Sequence, residues 1–186
     1  MKGNYSGYST TKTLVMNALM VALVFLATYF TKVTTPAGPF NLGDTVIFIT
    51  AIFLGRKSGF IAGAIGSALA DIAMSYALFA PVTFIVKGFE GYLAGLIVYK
   101  LYRSGEKRIN KEIIKLIAII AGSIVMISGY FFSELYVLSI FDKSMGLAKA
   151  LVDLPFNIVQ GVACSTIAFV LAAILDRYKI DKYILN

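Results

Sequence analysis

The chain of 186 residues contains no histidine, no tryptophan and a single cysteine, and only 15% of its residues are charged. The absence of histidine excludes Ser-His-Asp and Cys-His catalysis and the HExxH type of zinc site. The single cysteine, Cys164, excludes an internal disulfide and leaves the redox compartment undetermined. The low charge argues against a water-soluble enzyme, because soluble domains carry about 25% charged residues.

Apolar sequence is abundant, since 59% of the residues are hydrophobic and the mean hydropathy is +0.82. A membrane helix needs roughly 17–25 apolar residues. The pattern predicts an all-α, polytopic membrane protein, a bundle of six transmembrane helices in which residues 1–186 form a single integral membrane domain. The second and third helices are shorter than a full span, and a re-entrant hairpin is the alternative there. The predicted spans are 13–30, 40–54, 58–73, 81–99, 113–138 and 154–175.

The lysines and arginines are divided unevenly between the two sides of this bundle. Thirteen fall on the side of the two termini, three fall on the other side, at Lys32, Lys143 and Lys149, and Lys87 lies within a span. The positive-inside rule places the thirteen in the cytoplasm, together with the N and C termini. The net charge of +7 therefore reflects topology and contact with lipid headgroups, and nucleic-acid binding is not expected.

Ionisable side chains inside the predicted spans indicate function, because burying one in a bilayer costs about 2.5–3.5 kcal/mol on insertion scales. The polar groups of five helices converge on the outer half of the bundle, and the rings of Phe79, Phe84 and Phe131 lie at a similar depth. The inner half is almost purely apolar, which favours a pocket open to the outside over a continuous channel. The polar groups are Asp44, Asp71, Lys87, Glu90, Tyr130, Glu134, Asn157 and Gln160.

These polar residues also have purely structural interpretations. Lys87 and Glu90, spaced i, i+3, can neutralise each other as an ion pair. Asp71 can extend its carboxylate to the membrane interface, and Asp44 can cap the second helix. The polar residues of the sixth helix can form hydrogen bonds to neighbouring helices.

Small residues recur at a spacing of four on three helices. Such pairs allow helix backbones to approach closely in lipid. We expect the two glycine pairs to pack inside the bundle, whereas the alanine pair can pack inside the bundle or contact a second protein. The pairs are Ala18 and Ala22 on the first helix, Gly59 and Gly63 on the third, and Gly91 and Gly95 on the fourth.

The longest loop on the outer side is the segment 31–44. Pro36, Gly38, Pro39 and Gly43 give it turn chemistry, and it is too irregular for a span. We expect it to form a lid over the outer pocket, with a plain connector as the alternative.

Several segments together resemble the substrate-binding (S) component of an energy-coupling factor (ECF) vitamin transporter. The resemblance covers nearly the whole chain and favours the subgroup for riboflavin, pyridoxine and hydroxymethylpyrimidine. The segments are NALMVAL in the first helix, FNLGD after the first outer loop, GAIGSALAD in the third helix, APVTFIVKGFEGYLAG in the fourth, SGYFFSE in the fifth and LPFNIVQG in the sixth.

The resemblance implies a multi-pass protein of the prokaryotic plasma membrane that captures a water-soluble vitamin or precursor at the outer face. It implies no enzyme activity, no cofactor and no metal. The implied partners are a membrane T component, contacted by Ala18 and Ala22, and two cytoplasmic ATPase subunits, which is consistent with the lack of a Walker A sequence in this chain. Together with the polar pattern, it gives these candidate binding residues: Asn41, Asp44, Asp71, Phe84, Lys87, Glu90, Tyr130, Glu134, Asn157 and Gln160.

The main alternative is a stand-alone secondary transporter or channel for a small polar solute, and a membrane enzyme is another. The sequence shows no internal repeat, its ionisable groups lie off-centre, and it has no recognisable nucleophile–base motif. The mixture of cationic, anionic and aromatic groups suits a neutral polar heteroaromatic ring. We expect a pyridoxine- or hydroxymethylpyrimidine-like ligand first and riboflavin next.

Overall fold

The computed structural model describes residues 10–35, 38–103 and 110–178. Within these ranges the chain forms six helical segments and one small β-hairpin, which confirms the predicted helical bundle. Helices α1, α4, α5 and α6 are long and apolar enough to cross a membrane. The helices are α1 (Thr10–Phe30), α2 (Gly43–Leu54), α3 (residues 56–73), α4 (Ala80–Arg103), α5 (Lys111–Phe141) and α6 (Leu147–Arg177).

Helices α2 and α3 are the short elements, as the sequence predicts. The 12 residues of α2 extend about 18 Å. Helix α3 consists of Arg56–Ile61, a π-helical turn at Ala62–Gly66 and Ser67–Ala73. The two helices are joined at Gly55, whose φ of 87° lies in the left-handed region that glycine adopts without strain.

Close backbone contact joins α3 to α4 through their glycine pairs. A Cβ atom at Gly59 would lie 2.7 Å from the carbonyl oxygen of Gly91, and one at Gly95 would lie 2.6 Å from Cα of Arg56. Gly63 meets the backbone of Lys87 in the same way. The internal packing predicted for these pairs is confirmed, and it brings Lys87 toward the centre of the bundle.

The largest apolar cluster lies between α2, α4, α5 and α6. It fills the half of the bundle away from the hairpin, where the sequence predicts an apolar interior. Its buried members are Phe48, Ala51, Ala94, Val98, Ile114, Ala118, Ile119 and Ala168.

The segment 31–44 contains a β-hairpin, where the sequence indicated only an irregular loop. Strands β1 (Val33–Thr35) and β2 (Gly38–Phe40) pair antiparallel, and Val33 is opposite Phe40. The backbone N–H of Leu42 donates to Oγ1 of Thr31 at 2.8 Å, which closes the base of the hairpin. Pro36 lies outside the described residues. We call this side of the bundle the hairpin end and the other side the opposite end.

Helix α6 begins at Leu147, earlier than the predicted start at residue 154. The predicted span 154–175 lies wholly within this helix, whose first turns contain Lys149 and Asp153. In the structure these two side chains pair at i, i+4 within the first turns of α6, so their charges are compatible with the helix.

Part of the predicted charge asymmetry falls outside the described residues, namely Lys2, Lys107, Arg108, Lys179 and Lys182. Lys115, which was counted with the cytoplasmic charges, is a buried residue of α5 that pairs with Glu112 and Asp176.

Candidate functional site

A cavity of about 210 Å³ lies at the hairpin end of the bundle. Its walls come from the hairpin, the α3–α4 turn, the α5–α6 turn and helices α3 to α6, and they combine aromatic rings with ionic and amide groups. The lining residues are Phe40, Asn41, Asp71, Tyr76, Phe79, Thr83, Lys87, Tyr130, Glu134, Met145, Lys149, Asp153, Phe156, Asn157 and Gln160.

Lys87 is the central cation of the site. Its Nζ pairs with Oδ1 of Asp44 and lies 3.1 Å from Oε2 of Glu90. The three residues are 3%, 1% and 0% exposed, so neither carboxylate is compensated by water. A buried lysine can stay charged only if acidic partners lie beside it, and the two acids here hold Lys87 at the cavity wall.

Asp44 has a second partner on another helix. Nε2 of Gln160 on α6 donates to Oδ2 of Asp44 at 2.9 Å. The carboxylate therefore joins α2, α4 and α6. It makes no side-chain cap hydrogen bond at the start of α2, so the capping interpretation of Asp44 was wrong.

Glu90 differs from Asp44 in its hydrogen bonds. Neither of its carboxylate oxygens has a hydrogen-bond partner among the described residues, although Oε2 lies at an ion-pair distance from Lys87. One ammonium group thus faces two buried carboxylates, and the cluster carries an excess of acidic groups.

The end of the hairpin is attached to α6. The backbone N–H of Asn41 donates to Oε1 of Gln160 at 3.1 Å, and the thiol of Cys164 donates to the Asn41 carbonyl at 3.4 Å. Gln160 therefore links the hairpin to Asp44, so the position of the hairpin depends on the buried ionic cluster.

Tyr130 forms the wall between α4 and α5. Its hydroxyl lies 3.1 Å from Oγ1 of Thr83, and its ring centroid lies 5.5 Å from Nζ of Lys87. The second distance is within the range of a cation–π interaction.

Asp71 lines the cavity from α3 and is 9% exposed, so its side chain is directed into the bundle.

A second acidic group lies across the cavity, on α5 and α6. Glu134 is 3% exposed, interacts with Asp153, and lies in the π-helical turn Ser133–Leu138 of α5. Nζ of Lys149 lies 2.5 Å from each carboxylate oxygen of Asp153. Such π-helical turns are frequent at functional sites because they rotate side chains away from the regular helical positions.

Asp153 and Lys149 were not among the predicted site residues. Their i, i+4 spacing just before Pro155 was the available signal, since it is the spacing of an ion pair on a helix that continues through the proline. Both residues precede the predicted span 154–175, so they were not considered as parts of a helix.

The structure brings seven of the ten predicted binding residues to the cavity wall. Asp44 and Glu90 lie behind that wall, in contact with Lys87. The seven lining residues are Asn41, Asp71, Lys87, Tyr130, Glu134, Asn157 and Gln160.

Phe84, one of the predicted binding residues, does not line the cavity. Its side chain is 39% exposed, and its ring packs edge-to-face on Phe60 with 6.1 Å between the centroids. Consecutive residues of a helix are rotated by about 100°. Phe84 follows the cavity residue Thr83 and is therefore directed to the outer surface between α3 and α4.

The predicted partner-interface residues Ala18 and Ala22 are exposed on α1. Leu19 and Leu23 of the same helix are 49% and 40% exposed. This face of α1 is thus an apolar surface that the rest of the described chain leaves uncovered.

The sequence matches a known family over most of its length. Residues 8–177 match the model of the family described as the ECF-type riboflavin transporter, S component. The chain belongs to this family. It is therefore a multi-pass protein of the cell membrane and a substrate-binding component of a transporter, and it is not an enzyme.

Two relatives share the greater part of this S component. A Pyrococcus woesei protein described as uncharacterized is 32% identical over 156 residues, which cover 83% of this chain and 95% of the relative. The thiamine precursor transporter HmpT of Lactococcus lactis subsp. cremoris is 25% identical over 169 residues and covers 89% of each chain.

Two solved structures share the fold. The S component of a bacterial ECF transporter has a TM-score of 0.68 at 21% identity and covers 91% of this chain and 98% of its own. The S component for biotin from an ECF-type ABC transporter has a TM-score of 0.51 at 20% identity and covers 90% and 95%. Within the described residues, no group of three histidine, cysteine or acidic side chains could hold a metal ion.

Proposed function

We propose that this S component captures a small water-soluble vitamin or vitamin precursor in the cavity at the hairpin end. The observation that carries this proposal is a cavity of about 210 Å³ that combines ionic groups with aromatic walls. Small-molecule sites are typically apolar pockets with a few polar groups that fix the orientation of the ligand.

The size of the cavity supports a ligand with one ring. A volume of about 210 Å³ lies below the roughly 300–1,000 Å³ of pockets that hold drug-sized ligands. We favour a compound such as hydroxymethylpyrimidine or pyridoxine over riboflavin, whose three fused rings and sugar-alcohol chain need more space. The similarity to a thiamine precursor transporter supports hydroxymethylpyrimidine, whereas the family description supports riboflavin.

Each side of the cavity offers a different contact to such a ligand. Lys87 and Asn157 can donate hydrogen bonds, Asp71 and Glu134 can accept them, and the ring of Tyr130 can pack against a heteroaromatic face. Asp44 and Glu90 act through Lys87, because they hold its ammonium group at the wall.

We propose that the hairpin acts as a lid. Phe40 and Asn41 line the cavity from its hairpin side, and the contact of Asn41 with Gln160 holds this side in place. Opening the hairpin would break that contact and give the ligand a route into the cavity.

We propose that the six helices form one membrane domain whose termini face the cytoplasm and whose cavity faces outside. The uneven distribution of lysine and arginine supports this orientation. A membrane T component and two cytoplasmic ATPase subunits would then drive uptake, with the T component docked on the exposed face of α1.

Ligand binding by the purified chain tests the capture function. We expect mass spectrometry to find a single-ring vitamin or precursor that copurifies, and isothermal titration to show binding of hydroxymethylpyrimidine, pyridoxine or riboflavin. If the folded protein binds none of these, the capture of a vitamin from this group is refuted.

Uptake by cells separates a transporter subunit from a stand-alone secondary transporter or channel. Cells that express this chain alone should not accumulate labelled ligand, whereas cells that also express the T component and the ATPases should. Accumulation by the chain alone would refute the subunit interpretation.

The contact on α1 has its own test. Replacing both Ala18 and Ala22 with leucine should abolish copurification with the T component and uptake, while ligand affinity stays unchanged, because the added side chains prevent close helix packing. Ile124→Phe enlarges a residue on the exposed face of α5 and should leave both properties unchanged. Loss of ligand binding in the alanine variant would contradict an interface role.

A further inference from the structure

The charge balance of the site is opposite to that of the chain. The protein carries a formal charge of +7, yet five carboxylates and only two lysines lie in or directly behind the wall of the cavity. Lys32, which lies 4.4 Å from the ring centroid of Tyr76 and also attracts Asp71, is a third cation, and the carboxylates still outnumber the lysines by two. The seven groups are Asp44, Asp71, Glu90, Glu134, Asp153, Lys87 and Lys149.

Glu134 is the acidic group with unused hydrogen-bonding capacity on the cavity wall. Its side chain is 3% exposed, and its Oε2 has no hydrogen-bond partner among the described residues. Leaving a buried acceptor unsatisfied is unfavourable, more so when it is charged. We therefore expect the ligand to supply a hydrogen-bond donor to this oxygen.

The neighbours of Glu134 do not provide that donor. Lys149 lies 2.5 Å from both carboxylate oxygens of Asp153 and also attracts Glu134, but Oε2 of Glu134 accepts no hydrogen bond from it. Glu134 and Asp153 interact directly, and two carboxylates in contact cannot both stay charged without a shared proton or a cation between them. The other titratable groups that line the cavity around Glu134 are Tyr130 on α5, Lys87 on α4, Asp71 on α3 and Tyr76 in the α3–α4 turn.

We propose that Glu134 binds the amidine-like edge of a weakly basic heteroaromatic ring, such as an aminopyrimidine, and holds it in its protonated form. This proposal rests on the proposed capture function and names the substrate class of the same cavity. The protonated ring nitrogen and the adjacent amino group are two parallel N–H donors. The unpartnered Oε2 of Glu134 can accept one of them, and a second lone pair on Oε1 can accept the other.

The proton and the charges balance in this arrangement. The ring nitrogen takes its proton from the solution or from the Glu134–Asp153 pair, and the carboxylate of Glu134 stays ionised opposite the ring cation. The positive charge of the bound ring then weakens the repulsion between Glu134 and Asp153. It also reduces the net negative charge of the cavity. Rings with an oxo group at this edge are disfavoured, because their acceptor oxygen faces a carboxylate.

Two ring compounds of the same size test this recognition. The probes are 4-amino-5-hydroxymethyl-2-methylpyrimidine and its 4-oxo counterpart, titrated into the purified full chain. We expect the amino compound to bind at least about tenfold more tightly, the difference made by a charge-assisted hydrogen bond. Equal or tighter binding of the oxo compound would overturn the proposal.

The variant Glu134→Gln gives a sharper test. Its amide presents a donor beside an acceptor, which matches the oxo edge and mismatches the protonated amino edge. We expect the preference between the two probes to reverse, with the amino compound weakened by about tenfold or more. Glu112→Gln, which removes a carboxylate at the opposite end, should keep the wild-type preference. An unchanged preference in Glu134→Gln would contradict the role of Glu134.

The outcomes separate this inference from the capture function. If the protein binds riboflavin or pyridoxine but neither pyrimidine, the capture function stands and the amidine-edge proposal is wrong. If it binds none of the four compounds, the capture function itself fails. Should Glu134→Gln not fold, the comparison of the two probes on the unaltered protein still decides the proposal.

Discussion

The two ends of the bundle each contain a buried lysine that contacts two carboxylates. At the hairpin end Lys87 is 3% exposed, and the side chains of its partners Asp44 and Glu90 are 1% and 0% exposed. A cavity adjoins this cluster. The three charges of the cluster are therefore removed from water, and its net charge must be balanced by its own residues or by a ligand.

At the opposite end Lys115 is 1% exposed and contacts Glu112 and Asp176. The side chains of these two acids are 40% and 30% exposed, so water solvates them. The ion pairs fasten α5 to α6 at the surface of the bundle, and Lys115 does not line the cavity described above.

The difference shows that a buried and paired lysine is not by itself an indication of function. What distinguishes Lys87 is that both of its acidic partners are buried, and that an unsatisfied carboxylate oxygen of Glu134 belongs to the same cavity. Since buried charges are strongly coupled and solvated charges weakly coupled, substitutions at the two ends should differ in size.

The largest difference is expected between Lys87→Met and Lys115→Met. Methionine keeps most of the side-chain length and removes the charge. Lys87→Met leaves two buried carboxylates without a cation and should cost about 3–5 kcal/mol of stability, together with ligand binding. Lys115→Met leaves acids that water can reach and should cost about 1 kcal/mol or less.

Thermal unfolding of the purified variants in detergent measures this difference, with ligand titration on those that remain folded. Losses of equal size at the two ends would show that the exposure of the acidic partners does not set the strength of these pairs.

An intermediate difference is expected between Asp44 and Glu90, the two acidic partners of Lys87. Asp44 accepts hydrogen bonds from Lys87 and Gln160, whereas Glu90 accepts none from the described residues. Asp44→Asn should therefore cost about 1.5–3 kcal/mol, the size of hydrogen bonds to a charged group. Glu90→Gln leaves one cation, Lys87, paired with one carboxylate, Asp44, and should lower the free energy of unfolding by less than about 1 kcal/mol.

The same unfolding assay decides between the two acids. If Glu90→Gln proves the more destabilising, then the ion-pair distance to Lys87, rather than the hydrogen-bond count, determines the stability of the cluster.

Much of this arrangement follows from the sequence, because depth along a membrane helix depends only on counting residues. The apolar runs predicted the helices, and the glycine pairs of α3 and α4 predicted their close contact. The polar convergence placed Lys87, Tyr130 and Gln160 at one end of the bundle, where the structure has them. These predictions needed only the rise per residue and the direction of each helix.

The direction in which a side chain points is harder to predict, because it depends on how each helix is rotated against its neighbours. Phe84 has the depth of a site residue but is directed outward. Glu134 lies in a π-helical turn, which changes the rotation of the residues that follow and has no simple sequence signal. Asp153 and Lys149 precede the predicted span 154–175, so their place in the first turns of α6 was not predicted.

The smallest effect is expected for Glu112→Gln, at the opposite end. Glu112 is half-exposed, and Lys115 keeps its pair with Asp176 in this variant. The backbone N–H of Glu112 still donates to Oδ1 of Asn110, which caps α5. The loss is therefore that of one surface ion pair, about 0.5 kcal/mol. Ligand affinity should not change, because the residue lies at the end of α5 away from the cavity. A measurable loss of affinity would mean that the ion pairs between α5 and α6 affect the positions of Glu134 and Asp153. The two ends of the bundle would then be energetically coupled.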